Sequence, residues 1–351
     1  MSTAANSILI IRPSALGDVC RSVPLAVSMR AAYPQAHIAW VVQDSFVDAV
    51  RSHPAVNEVV PFPRGRWRAW WKPSVMADFR RWVGALRGRF DLVLDAQGLG
   101  RSGLIAFSTR ARRRVGFRDA RELGWLGVTE RYQIKERHTV DRMLGLLRAM
   151  GIRPIADLTL YVSEADRTWW KAERARLGID DGYAVFAPTS RWITKDWPAE
   201  RWAELAPAIR QRGHGSIVYM GTAGEAAQVQ AALPKGESAR ESIDLSGKTT
   251  VGQGMAVIAE SALVVANDSA PLHIAVGFAR PLVALFGPTD PTTVGPYRRE
   301  RAVVRSARAA AFRGSYRDLT LGDALMREIS VSDVLAAIDS GRALPGRSGS
   351  G

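Results

Sequence analysis

Cysteine is almost missing from this chain. One residue, Cys20, occurs in 351, which excludes an intramolecular disulfide and fits a reducing cytoplasm. Long apolar runs are missing too. The most apolar region, residues 262–287, is broken by Asn267, Asp268, His273 and Arg280, so nothing reaches the length of a membrane span. The N-terminal run Ile8-Leu9-Ile10-Ile11 is soon followed by Arg12 and Asp18 and is too short for a signal peptide. No Asp-x-Asp pair appears anywhere, so no catalytic metal is expected, and no cofactor. Internal repeats at solenoid periods are absent. Lysine is scarce, at six of the 48 cations.

Arginine is abundant instead, and unevenly placed. The net charge is +14. Residues 1–165 hold 25 Lys and Arg against 14 Asp and Glu, whereas residues 166–351 hold 23 against 20. Codon bias explains Arg over Lys but not this asymmetry. A field of this kind favours an anionic partner for the first half: nucleic acid, a membrane surface or a phosphorylated small molecule. The stretch RGRWRAWWKP (64–73) concentrates it, with Arg64, Arg66, Arg68 and Lys72 interleaved with Trp67, Trp70 and Trp71. Either it is a solvated amphipathic face, or something anionic and partly apolar docks there.

The rest of the chain has an ordinary globular composition, 47% hydrophobic and 23% charged. Short apolar runs alternate with helical patterns. Strands are expected at 7–13, 37–43, 56–62 and 90–97, with helices between them. The rhythm restarts with strands at 183–188, 215–221, 262–268 and 281–287. Alternation of this kind predicts a parallel sheet covered on both faces, here twice, with a boundary near 155–182. Ligands of such sheets lie outside the carboxyl ends of the strands.

Several polar groups fall at those ends. GLGRSG (98–103) spells the dinucleotide fingerprint G-x-G-x-x-G, which makes a nicotinamide site a rival reading. It follows roughly the fourth strand rather than the first. The region where an acidic second strand should end is RARRRVGFRDARE, far from apolar, although Asp119 and Glu122 lie there. In RPSALGDV (12–19), Asp18 opens a helix after a strand, as an N-cap or as a carboxylate that accepts a proton from a hydroxyl. In NDSAPLH (267–273), Asp268 and Ser269 lead into a helix start suited to a diphosphate. His273 follows on the same helix face, as a ligand contact or a buried structural histidine. APTSRWITKDWP (187–198) supplies Thr189, Ser190 and the rare Lys195, whose charge suits a leaving phosphate.

Taken together, RPSALGDV, TKDWP, NDSAPLH and FGPTDP resemble the heptosyltransferases, glycosyltransferase family 9, in order from residue 8 to about 297. RGRWRAWW, LDAQGLGRSG, RDARELG and RHTVDR (137–142) are similar to segments of the heptosyltransferase I type. The resemblance implies an α/β GT-B fold, two doubly wound Rossmann-like domains facing across a cleft. Residues 1–165 would bind the acceptor and 166–330 the ADP-sugar. A helix at 331–340 would return to the first domain, and 341–351 would be disordered. The implied reaction is an inverting, metal-independent transfer of heptose from ADP-heptose to the Kdo sugar of lipid A. It belongs to lipopolysaccharide core biosynthesis at the cytoplasmic face of the inner membrane, with the protein peripheral to that membrane. Domain closure would exclude water from the donor.

Roles follow from the same resemblance. Asp18 matches the general base and Lys195 the residue facing the donor phosphates. Glu225 matches the acid on the ADP ribose. Asp268, Ser269, Ala270 and His273 match the diphosphate and sugar loop, with Thr189 and Ser190 beside it. Arg64, Arg66, Arg68, Lys72, Gln97, Arg101, Arg121 and His138 fall on the acceptor side. Arginine forks suit carboxylate and phosphate, and tryptophans suit the membrane–water boundary. Two departures stand out. Ala270 replaces the family's glycine, and the loop TSRWITK is one residue longer than in the type I enzymes. Two alternatives remain. One is a transferase moving another nucleotide-activated sugar to another anionic glycan. The other is a basic nucleic-acid-binding protein stacking bases on the Trp/Arg stretch, which would not need the polar residues at the later strand ends. No nucleic-acid partner is expected.

Overall fold

The computed structural model describes residues 5–345 apart from 68, 70, 313 and 316. The chain divides into two compact units, Met1–Tyr161 and Val162–Gly351. In the first unit six strands form one sheet: β1 (Ser7–Ile11), β2 (His37–Gln43), β3 (Glu58–Phe62), β4 (Leu92–Asp95), β5 (Arg113–Phe117) and β6 (Glu130–Tyr132). Their order is β3-β2-β1-β4-β5-β6, and every pairing is parallel. A parallel sheet needs crossover connections, which cover both faces, so its central strands read as unbroken apolar runs. Ile8 to Ile11 of β1 are fully buried for that reason.

The second unit repeats the plan. Its strands are β7 (Ala184–Ala187), β8 (Ile217–Tyr219), β9 (Ser242–Asp244), β10 (Leu263–Asn267), β11 (Leu282–Leu285) and β12 (Val303–Val304). They are ordered β9-β8-β7-β10-β11-β12, the same path as the first sheet. In each sheet the order reverses once, between β1 and β4 and between β7 and β10. Such a switch point opens a crevice beyond the strands' carboxyl ends, where this fold binds ligands.

The second core packs Phe186, Trp197, Trp202 and Tyr219 beneath the sheet. Its last helix, Val331–Asp339, buries Val334 and Ala337 in that same core. It therefore belongs to the second unit. Residues 341–345, part of the tail expected to be disordered, pack on the second unit. Ala343 is buried, and its carbonyl accepts from Leu282 N at 2.8 Å and from Arg299 Nη2 at 2.6 Å. Residues 346–351 lie outside the described residues. Among the described residues, no helix is long and apolar enough to cross a membrane.

Candidate active site

The first switch point is held by charge. Arg12 leaves β1 and its Nη1 donates to the Ala96 carbonyl just past β4, at 2.5 Å. Gln97 closes the same gap, its Oε1 accepting from Ser14 N at 3.3 Å. Asp18 lies in the short helix Leu16–Arg21, and its cap position is Ala15. Asp18 is thus inside the first turn, not at the N-cap, and its Oδ2 accepts the Ala15 N–H at 3.2 Å. Its Oδ1 meets Arg21 Nη2 at 2.5 Å and Arg12 Nη2 at 3.2 Å. Burial pushes the Asp18 carboxyl up, but the two guanidiniums and the Ala15 N–H outweigh it and hold it at about 2. Asp95, at the end of β4, goes the other way. Burial raises it to about 6 despite bonds from Gly98 N, Ser102 Oγ and Gln97 N.

The glycine-rich segment after β4 has a structural purpose. Gly98 sits at φ +67°, and a Cβ on Gly103 would fall 2.2 Å from the Gly124 carbonyl oxygen. The helix Gly100–Ser108 therefore packs backbone against backbone on the turn Gly124–Gly127. At its N-terminus, Gly100 N donates to Glu122 Oε2 at 3.2 Å. The place a pyrophosphate would take is filled by a carboxylate. A strand does follow, since RRVGF is β5 although the region is far from apolar. Yet Asp119 after it is paired with Arg142 at 3.0 Å. The dinucleotide reading fails on these two contacts.

The basic residues fall into distinct settings. Arg101 is exposed, with its guanidinium 5.9 Å from the Phe62 ring centre. Arg121 is exposed, and its N–H donates to the Gly98 carbonyl at 2.9 Å, so it belongs to the same interlocked segment. His138 caps the helix Thr139–Ala149, its Nδ1 accepting from Val140 N at 3.2 Å. Lys72 is exposed at the start of the helix Pro73–Gly84. Arg66 pairs with Asp78 at 2.8 Å, whereas Arg64 is exposed. Arg68 and Trp70 lie outside the described residues. The tryptophans are not equivalent. Trp71 is 67% exposed, but Trp67 donates to Asp78 at 2.9 Å and packs edge-on against Phe62, Phe79 and Trp82. Trp67 is partly buried and packs against the first unit's core.

In the second unit Asn267, at the end of β10, ties the switch point together. Its Nδ2 donates to the Pro188 carbonyl beyond β7 at 2.7 Å, and its Oδ1 accepts from Trp197 N at 3.2 Å. The next residue, Asp268, pairs with Lys195 at 2.7 Å, and both side chains are largely buried. Ser269 is the N-cap of the helix Ala270–Gly277 but makes no side-chain cap bond. Ala270 begins the helix with an ordinary φ, so the backbone there does not require glycine. His273 is buried on that helix. Thr189 is buried, while Ser190 Oγ donates to the Trp192 carbonyl at 2.8 Å. Glu225 Oε2 accepts from both N and Oγ1 of Thr222 at 2.7 Å, so this acid also caps a turn. Asp196, not anticipated, is raised to about 7, first by burial and further by the Glu225 charge, against hydrogen bonds from Ser190. No group of three or more His, Cys, Asp or Glu able to hold a metal occurs among the described residues.

Two doubly wound units, each with polar loops at its switch point, match the architecture of the GT-B glycosyltransferases. The chain belongs to glycosyltransferase family 9, the heptosyltransferases, whose family model matches residues 79–319. It is 28% identical over 311 residues to lipopolysaccharide heptosyltransferase 1 of Salmonella typhimurium, covering 84% of this chain and 92% of that one. It is 30% identical over 318 residues to lipopolysaccharide heptosyltransferase 2 of Escherichia coli, covering 85% and 87%. The solved structure of E. coli heptosyltransferase WaaC with ADP matches with a TM-score of 0.73 at 25% identity, covering 95% of this chain and 99% of that one.

Proposed function

We propose that this glycosyltransferase moves heptose from ADP-heptose to the Kdo sugar of the lipid A inner core, with inversion and without a metal. The observation that carries the reading is the ionised Asp18 at the first switch point. The acceptor hydroxyl oxygen attacks the anomeric carbon opposite the ADP oxygen. The bond to ADP breaks, its electron pair leaves with ADP, and the hydroxyl proton passes to Asp18. A carboxylate held at about 2 is a weak base, so proton transfer follows C–O bond formation, when the attacking oxygen has become positive. Lys195 exchanges Asp268 for the leaving diphosphate. The free N–H groups after Ser269 share that charge. Glu225 holds the ribose, and Thr189, Ser190 and His273 line the donor loop.

The first unit takes the acceptor through Arg64, Arg66, Arg68, Lys72, Gln97, Arg101, Arg121 and His138. Its surplus of positive charge supports this side for an anionic glycolipid and for a peripheral place on the cytoplasmic face of the inner membrane. The test is a transfer assay with ADP-heptose and deacylated Kdo–lipid A, with the anomeric configuration of the product read by NMR. Inverted product formed in the presence of chelator supports the reading. A retained configuration, or a strict need for Mg²⁺ or Mn²⁺, overturns the mechanism. Relatives of types 1 and 2 match about equally, at 28% and 30%, so the assay runs core acceptors of stepwise length. Preference for a longer one would reassign the acceptor while keeping the chemistry.

A further inference from the structure

The first unit contains a cavity of ≈ 840 Å³ whose apolar walls none of the roles above uses. Its walls are Phe62, Trp67, Val75, Met76, Phe79 and Leu104. Gln43, Arg64 and Arg101 also line it. The size is that of a site for a sizeable organic ligand, and the apolar lining with a few polar groups is the usual composition of one. The floor is packed, with Trp67 edge-on against Phe62 at 5.1 Å and against Phe79 at 5.0 Å. Leu104 remains 49% exposed although it faces this apolar space.

Position and charge say what fits. Gln43 and Phe62 end β2 and β3, and Arg101 stands in the first turn of the helix after β4. The cavity therefore opens on the carboxyl-end side of the sheet, the side that carries Asp18 and Gln97. β3 lies two strands from β1, about 10 Å at the usual strand spacing. Asp78, the nearby acid, is already taken by Arg66 and the Trp67 N–H. Arg64 and Arg101 have no carboxylate partner among the described residues. An apolar cavity flanked by two unpaired guanidiniums suits a chain with an anionic group at one end.

We propose that this cavity seats one acyl chain of the anionic glycolipid acceptor, with Arg64 and Arg101 on the phosphate or carboxylate groups where the chain begins. The proposal rests on the reading of the first unit as the acceptor side. It assigns the chain a subsite that tightens acceptor binding and leaves the sugar chemistry at Asp18.

Two measurements test it. The first is binding without catalysis: tryptophan fluorescence titrations with dodecyl phosphate, below its micelle-forming concentration, and with butyl phosphate. Burying even part of the longer chain should tighten binding by about 10²-fold, since each buried methylene contributes about fourfold. Leu104→Gln and Met76→Gln, at partly exposed positions, should cut that chain-length advantage by roughly tenfold for each. Arg64→Ala with Arg101→Ala should weaken both phosphates alike, and less so at high salt. The second is the ratio of KM for acylated to deacylated acceptor, expected below one in the wild type and nearer one in the glutamine variants. Equal affinity for the two phosphates, or glutamine variants that keep the full advantage, would overturn the cavity assignment. Transfer with equal KM for both acceptors would do the same and leave the function intact. Chain-length preference without transfer to either acceptor would keep the cavity and remove the proposed reaction.

Discussion

Replacing Asp18 with Asn removes one negative charge and little volume. The amide oxygen can still accept the Ala15 N–H, so the helix start is preserved. What is lost is the counter-charge between Arg12 and Arg21, whose side chains are 9% and 8% exposed. The carboxyl is lowered from 3.8 to about 2. That shift means the fold favours the ionised over the neutral form by about 2 kcal/mol. An unpaired buried charge sets a cost of the same order or somewhat above it. For a unit the size of Met1–Tyr161, this corresponds to a Tm lower by roughly 4–8 °C. A carboxyl lowered in the fold stabilises above its unfolded pKa, and that contribution is lost as pH falls through the folded one. The Tm gap between wild type and variant should therefore be full from pH 5 to 7 and shrink below 3.8 toward about 2. Turnover should fall by about 10²–10⁴-fold, the usual loss of a general base. Calorimetry over this pH range and a kcat measurement on the folded variant check both parts. A folded variant with near-wild-type turnover would reduce Asp18 to a structural ion-pair partner. A Tm gap that does not vary with pH would refute the charge argument.

Three further outcomes follow from other contacts. Lys195→Ala should lower kcat by about 10²–10³-fold and raise the KM for ADP-heptose while barely moving the acceptor KM, because its proposed target is the departing diphosphate; unchanged donor kinetics would remove it from the site. Gly103→Ala forces a methyl against the Gly124 carbonyl, which is backbone and cannot swing aside, so a loss of about 3 kcal/mol in the first unit is expected by denaturant unfolding. Asp95, raised to about 6, contributes the opposite sign to Asp18. Its contribution is complete below pH 3.8 and lost as pH rises through about 6, so wild type should lose stability relative to Asp95→Asn across that interval.

The strands that build the switch points are legible because they are buried on both faces. β1, β2, β4, β7, β10 and β11 are runs of Ile, Val, Leu and Ala that no surface helix would need. The strands β5, β6, β9 and β12 were not anticipated. β5 begins with Arg113 and Arg114, which read as solvated charge. In the fold Arg113 is neutralised by Glu130 on β6 at 2.7 Å, a partner 17 positions away that periodicity cannot find. The same limit shaped the site. Asp18, Lys195, Asp268 and Ser269 stand at strand ends and could be named from local pattern. Arg12 on the Ala96 carbonyl and Asn267 on the Pro188 carbonyl act on groups reached only through the sheet order. Arg12 and Arg21 do flank Asp18 in the sequence, and that short charge pattern was the one available signal. The packing of Trp67 was not legible because an interleaved Arg/Trp run looks amphipathic, and its indole N–H is satisfied by Asp78, which no local spacing reveals.

The contact between Gly103 and the turn Gly124–Gly127 joins two backbones with no side chain between them. Side-chain contacts loosen by degrees, through rotamer changes that leave part of the surface covered. Backbone contacts of this kind have no intermediate, so the helix Gly100–Ser108 and the turn must open together or not at all. Arg101 and Arg121 are carried on that single unit. Amide hydrogens of both segments should therefore exchange with one shared opening free energy, and the backbone positions of Arg101 and Arg121 keep one spacing for as long as that contact is closed.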